Sequence, residues 1–181
     1  MPEASNLYLV VDASVLRAAG TAACTRARNS RDVLEGILRN GHYVVVTRAI
    51  VQEWDRHSSY LGLLWRSRMM NRRRLVTIPL GTSNIRGLVL QYAPADARHV
   101  IEKDIHLIEA ALNASEIIFS LDLRARGHFS RLTPYAPDLC RVVWVSPEVD
   151  FQVCEDCISG QTAELTDYTL KAVLERSAVS T

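Results

Sequence analysis

The chain has 181 residues, 48% of them hydrophobic, which suits one globular domain with a full core and argues against a disordered chain or a second domain. Its 21 basic and 20 acidic side chains leave a formal net charge of +1, so bulk charge makes no case for nucleic-acid binding; any such case rests on where charges cluster. No apolar run approaches the roughly 18 residues of a membrane-spanning helix, and the opening MPEASNLYLVVD lacks the basic-then-apolar form of a signal peptide, so the expectation is a soluble, cytoplasmic protein without membrane contact.

Leu7 to Val11 is a continuous apolar run, the pattern of a central strand covered on both faces, and it ends directly in Asp12-Ala13-Ser14. Taken alone, Asp12 reads as an N-cap for the following helix. Residues 14 to 40 are expected to be mostly helical, with a polar break near Thr25 to Arg31 and a C-terminal stop at Asn40-Gly41. A second buried strand follows at Tyr43-Val44-Val45-Val46, with Thr47 as an N-cap for the next helix. On that helix Ile50, Trp54, His57 and Leu61 share a face and Glu53 lies about 60° to one side of it. His57, four residues after Glu53, reads as a histidine at the edge of the core, with steadying of the Glu53 carboxylate as the alternative.

From Ser58 to Arg74 the helical pattern turns basic, with Arg66, Arg68, Arg72, Arg73 and Arg74 beside Trp65. Guanidinium forks suit phosphate oxygens and an aromatic neighbour suits a base, which makes this a candidate nucleic-acid patch; the competing reading is a solvated helix end. Leu75 to Ile78 is a further short strand before Pro79, and the stretch from Gly81 to Ala97 reads as a loop with a short helix.

The segment EKDIHLIEAALNASEIIFSLD, Glu102 to Asp122, reads as a helix followed by a buried strand. Ile101, Ile105, Ile108 and Leu112 fall on one helix face and Asp104 lies on its edge; Asp122 sits just past the carboxyl end of Ile117-Ile118-Phe119. Arg124 and Arg126 follow at once. Arg141 to Val145 is another buried strand, closed by Ser146-Pro147, and residues 148–181 form a helical extension expected to pack on the domain of residues 1–147. The four cysteines, Cys24, Cys140, Cys154 and Cys157, are expected as free thiols: Cys154 and Cys157 have a zinc-like spacing, but no second pair of ligands follows them.

Strands alternating with helices predict a three-layer α/β/α fold on a mostly parallel sheet. Asp12 and Asp122 then stand at strand carboxyl ends, where ligand crevices form, and Glu53 and Asp104 on inward helix edges can join them. Four carboxylates at one place repel one another unless a cation joins them, and oxygen donors point to Mg²⁺ or Mn²⁺.

This constellation resembles the PIN-domain nucleases: a first strand ending in Asp12 with Ser14 close by, Glu53 in the helix after the second strand, Asp104 opening an apolar helix in Lys103-Asp104-Ile105-His106-Leu107, and Ser120-Leu121-Asp122 at a strand end. The resemblance covers about residues 7 to 145 and implies metal-dependent hydrolysis of phosphodiesters, most often in RNA, by a toxin-like or defence-associated protein. It implies Asp12, Asp104 and Asp122 as metal ligands and Glu53 as a ligand or water-orienting residue. Ser14 and Ser120 would hydrogen-bond a ligand, and Arg66, Arg68, Arg72, Arg124 and Arg126 would contact phosphate. An inhibitory protein partner and a homodimer are further implications. Two other readings compete with it: a non-cutting RNA- or protein-binding scaffold of the same fold, and a phosphatase- or receiver-like domain, against which Ser14 stands where a second Asp would be expected.

Overall fold

The computed structural model describes residues 6–79, 84–160 and 165–179. Its centre is a five-stranded sheet in the order β3-β2-β1-β4-β5, built from β1 (Tyr8–Val11), β2 (Tyr43–Val46), β3 (Leu75–Thr77), β4 (Ile117–Phe119) and β5 (Val143–Val145). Every pairing is parallel. The strands are short and made largely of Val and Ile, and β4 and β5 are buried at every position, as a sheet covered on both faces requires. The short strand expected at Leu75 to Ile78 is present as the edge strand β3, and β4 ends at Phe119 so that Ser120 begins the loop.

Helices α1 (Ala13–Ala18), α2 (Thr25–Arg39), α3 (Arg48–His57) and α4 (Tyr60–Asn71) lie between β1 and β3 in the chain. After them come α5 (Ile85–Tyr92), α6 (Arg98–Leu112) and α7 (Leu123–Ser130). The chain moves outward from β1 through β2 to β3, then returns to the other side of β1 for β4 and β5. Parallel crossovers are right-handed, so this reversal places the first group of helices on one face of the sheet and the second on the other. The result is the three-layer α/β/α architecture, with a topological switch point between β1 and β4. Asp12 and Asp122 leave the sheet at that point.

The remaining helices, α8 (Phe151–Ser159) and α9 (Leu170–Val179), pack on α2 and α7 respectively. The His42 ring ties α8 down: Nδ1 accepts from the Leu7 amide at 3.1 Å and Nε2 donates to the Ile158 carbonyl at 2.7 Å. The Leu170 amide likewise donates to Val142 at 2.8 Å. The four cysteines are free, and Cys154 and Cys157 are buried in α8, where desolvation pushes both thiols up, that of Cys157 to about 11. Among the described residues no helix is long and apolar enough to cross a membrane.

Three local expectations are corrected. The polar run Thr25 to Arg31 opens α2 instead of breaking the helix, because Ala27, Asn29 and Ser30 turn inward while the intervening positions are mostly exposed; the break lies at residues 19–24. Apolar spacing carried a single helix through Leu61, yet the chain breaks at Ser58-Ser59. The Ser59 hydroxyl caps α4 by accepting from the Gly62 amide at 3.1 Å and donates to the Leu16 carbonyl at 2.7 Å. Gly62 is required there, since a Cβ would meet the Leu16 carbonyl oxygen at 2.6 Å. Third, β5 starts at Val143, after a 3-10 turn over Pro137–Arg141. The Gly81 region lies outside the described residues.

Candidate active site

Asp12 is placed by β1. Its backbone extends the ladder, donating to Phe119 at 2.9 Å, and its side chain does not cap α1. Instead one oxygen, Oδ2, accepts from the hydroxyls of Ser14 and, at 2.7 Å, Ser120. The same hydroxyls accept from the loop backbone: Ser14 Oγ from the Leu121 amide and Ser120 Oγ from the Asp122 amide, each at 3.1 Å. Two serines 106 positions apart in the chain thus lock the ends of β1 and β4 together around one carboxylate. Asp122 uses Oδ1 to cap α7 through the Ala125 amide at 2.8 Å.

Glu53 is brought over this point by its neighbour. Trp54 is fully buried and its indole N–H donates to the Val11 carbonyl at 3.0 Å, fastening α3 onto the carboxyl end of β1. Burying such a ring contributes about 3 kcal/mol, so the position of Glu53 is held by the core. Glu53 is half-buried and, with Asp12 and Asp122, lines a cleft of about 430 Å³.

Asp104 arrives from the opposite helical layer, where α6 comes against α3. It is 4% exposed, and its Oδ2 is buried without a hydrogen-bond partner. Oδ1 lies 3.4 Å from the ammonium of Lys103, which lines the cleft. Burial pushes the Asp104 carboxyl up to about 7; Lys103 works against the rise, and Asp12 and Asp122 add to it. The field of the other acids is felt at Lys103 as well: burial lowers its pKa, but Asp104, Glu53 and Asp12 together outweigh burial and leave it raised. His106, one turn along α6, is buried with Nδ1 on the Lys103 carbonyl at 2.8 Å; burial lowers its pKa despite the nearby Glu53 and Asp12.

Three of the four predicted acids therefore share one cleft, and the fourth is electrostatically coupled to two of them from a buried position. Among the described residues no three His, Cys, Asp or Glu side chains are drawn into a ready-made metal-binding group. The donor set nevertheless fits a hard divalent cation. It is all carboxylate and it holds an orphaned buried oxygen on Asp104, while the Lys103 ammonium on the other oxygen competes with a cation for that charge.

The predicted arginines are placed differently. Arg66 pairs with Asp55, Arg68 with Glu35, and Arg72 donates to the Leu38 carbonyl at 3.4 Å; none of them lines the cleft. Trp65, read as a base-stacking neighbour, is 2% exposed and donates to Leu34, so it belongs to the core. Arg126 is held by Asp150 at 2.8 Å and by the Trp144 carbonyl at 3.3 Å in a largely buried ion pair. Arg124 is exposed on α7. The cations that do line the cleft, Arg17, Arg26 and Lys103, were not singled out from the sequence; Arg17 lies five residues after Asp12 and Lys103 immediately before Asp104, a proximity that points to them. His57, expected at the core edge, is exposed and lines the same cleft, because α3 ends there and releases it. No family model, no curated protein and no solved structure matches this chain.

Proposed function

We propose that this chain is a divalent-metal-dependent endonuclease that hydrolyses nucleic-acid phosphodiesters, with RNA favoured over DNA. The observation that carries the reading is Asp104: a carboxylate buried with one oxygen unpartnered, coupled to Asp12 and Asp122 at the switch point of a parallel sheet. Burying a carboxylate with one oxygen unpartnered is costly, and a divalent cation at that oxygen would offset the cost.

In this reading Asp12, Asp104 and Asp122 would hold the ion, and Glu53 would either join them or orient a water. Bound there, Mg²⁺ or Mn²⁺ would polarise a phosphoryl oxygen and lower the pKa of a water. The chain's own residues do the rest. Ser14 and Ser120 fix the Asp12 carboxylate by hydrogen bonds to Oδ2, so its remaining oxygen is presented in one orientation. Glu53, which lines the cleft, would take a proton from water at its carboxylate. Arg17 and Lys103 supply positive charge at the cleft for phosphate, and Arg26, paired with Glu148 at 3.1 Å, adds to it. A toxin-like or defence role, an inhibitory partner and a homodimer remain implications of the PIN resemblance.

The Lys103–Asp104 contact favours one second reading, a non-cutting RNA- or protein-binding scaffold in which the ammonium serves as the permanent counter-ion. Purified protein incubated with single-stranded RNA in Mn²⁺, in Mg²⁺ and in EDTA separates the two. Cleavage in metal that is abolished by Asp12→Asn and by Asp104→Asn supports the nuclease. Intact binding with no cleavage in any metal supports the scaffold.

A further inference from the structure

Along α7, Arg124, His128 and Arg131 fall at intervals of four and three, and Tyr135 in the turn after the helix continues the interval by another four. At 3.6 residues per turn Arg124, His128 and Arg131 form one stripe, which spans roughly 11 Å from Arg124 to Arg131; Tyr135 lies in the turn beyond it. The stripe begins beside Asp122, whose side chain caps the helix.

Arg124 and Arg131 are exposed and, unlike Arg66, Arg68 and Arg126, neither forms an ion pair or side-chain hydrogen bond among the described residues. Between them, His128 keeps a buried Nε2 without a partner. Burial lowers the His128 pKa and both arginines lower it further, while Asp96 and Asp122 act in the opposite sense.

At the far end Tyr135 stacks on Tyr92, the last residue of α5, with ring centroids 4.6 Å apart and planes 11° from parallel. The pair is not core: Tyr92 is 43% and Tyr135 53% exposed. Two stacked rings left in water at the end of a row of unpaired cations form a platform on which a further aromatic ring can stack.

Resting on the nucleic-acid reading of the acidic cleft, we infer that α7 is the substrate track: a single-stranded segment leaves the cleft past Asp122, lays phosphates on Arg124 and Arg131, and stacks a base on the Tyr92–Tyr135 pair. A single strand is specified because a paired duplex keeps its base faces stacked inside and offers none to a tyrosine ring.

The test is fluorescence anisotropy in EDTA, so that nothing is cut, using a labelled 12-nucleotide single-stranded RNA of mixed sequence and the matching duplex. Wild type is expected to bind the single strand more tightly than the duplex. Tyr135→Leu is expected to weaken single-strand binding about tenfold, whereas Tyr135→Phe, which keeps the stacking face, binds as wild type. Replacing both Arg124 and Arg131 by Gln is expected to reduce the slope of log affinity against log salt by about 1.4, or ~0.7 for each phosphate no longer neutralised. The three substituted positions are exposed, and a circular dichroism melt confirms that each variant is folded. Wild-type binding and metal-dependent cleavage with unchanged affinity in Tyr135→Leu and in the double Gln variant overturn the track and leave the nuclease reading intact. A wild type that neither binds the single strand nor cuts it in Mn²⁺ overturns both.

Discussion

Replacing Asp104 by Asn tests the chemistry of the cleft through stability, independently of any activity. In the metal-free protein burial raises the Asp104 carboxyl from 3.8 to about 7, opposed by Lys103 and assisted by Asp12 and Asp122. The folded state holds this proton more tightly than the unfolded chain does. Its contribution is therefore fully present below pH 3.8 and is lost as pH rises through about 7. At ~1.36 kcal/mol per unit, the rise from 3.8 to about 7 amounts to about 4 kcal/mol lost above pH 8, of which only about 1–2 kcal/mol is already lost at pH 5. Asn does not titrate, and the cost of a buried amide without ideal partners, about 1–3 kcal/mol, is the same at each pH. Between pH 5 and pH 8 the variant therefore gains on wild type by about 3 kcal/mol, or on the order of 10 °C in Tm for a chain of this size. Urea unfolding in EDTA, followed by the fluorescence of the buried Trp54, Trp65 and Trp144, measures the difference directly. A stability gap between the two proteins that stays constant from pH 5 to pH 8 would refute the reasoning, because it would mean that the carboxyl titrates alike in the folded and unfolded chain.

Three further outcomes are expected. Lys103→Met removes the ammonium beside Asp104, so Mn²⁺ measured by calorimetry should bind about tenfold more tightly while the metal-free protein melts lower. Ser120→Ala deletes the hydroxyl that links Asp12 Oδ2 to the Asp122 amide; a loss of about 1–2 kcal/mol in urea unfolding and a roughly tenfold weaker Mn²⁺ affinity should accompany each other. Arg126→Ala leaves the mostly buried Asp150 charge with the Ser146 amide but no counter-ion and should cost about 3 kcal/mol of stability, with no change in the salt dependence of RNA binding.

The sheet was legible because strands buried on both faces must be continuous apolar runs, and Leu7–Val11, Tyr43–Val46, Ile117–Phe119 and Val143–Val145 stand out as such. The inward tilt of Glu53 and Asp104 was legible from helical period alone. What failed were features decided by partners distant in the chain. The break at Ser58-Ser59 answers to the Leu16 carbonyl, 43 residues away. Arg66 and Arg68 look like a phosphate patch until Asp55 and Glu35 are brought beside them, and Trp65 looks available until Leu34 takes its N–H. The i, i+4, i+7 row on α7 was present in the sequence all along, but nothing marked Tyr135 until the fold set Tyr92 against it.

By itself the sequence determined which residues could be acids at strand ends and on inner helix edges, because side-chain direction follows from backbone period. Only the tertiary structure decided which charges remain unmatched. Electrostatic cost depends on burial and on every neighbour within a few ångströms, and those neighbours come from α1, α3, α6 and α7 together. Asp104 is a polar residue near an apolar stripe in the sequence; in the fold it is a buried carboxylate with one bare oxygen, held between Lys103 and the acids at the ends of β1 and β4.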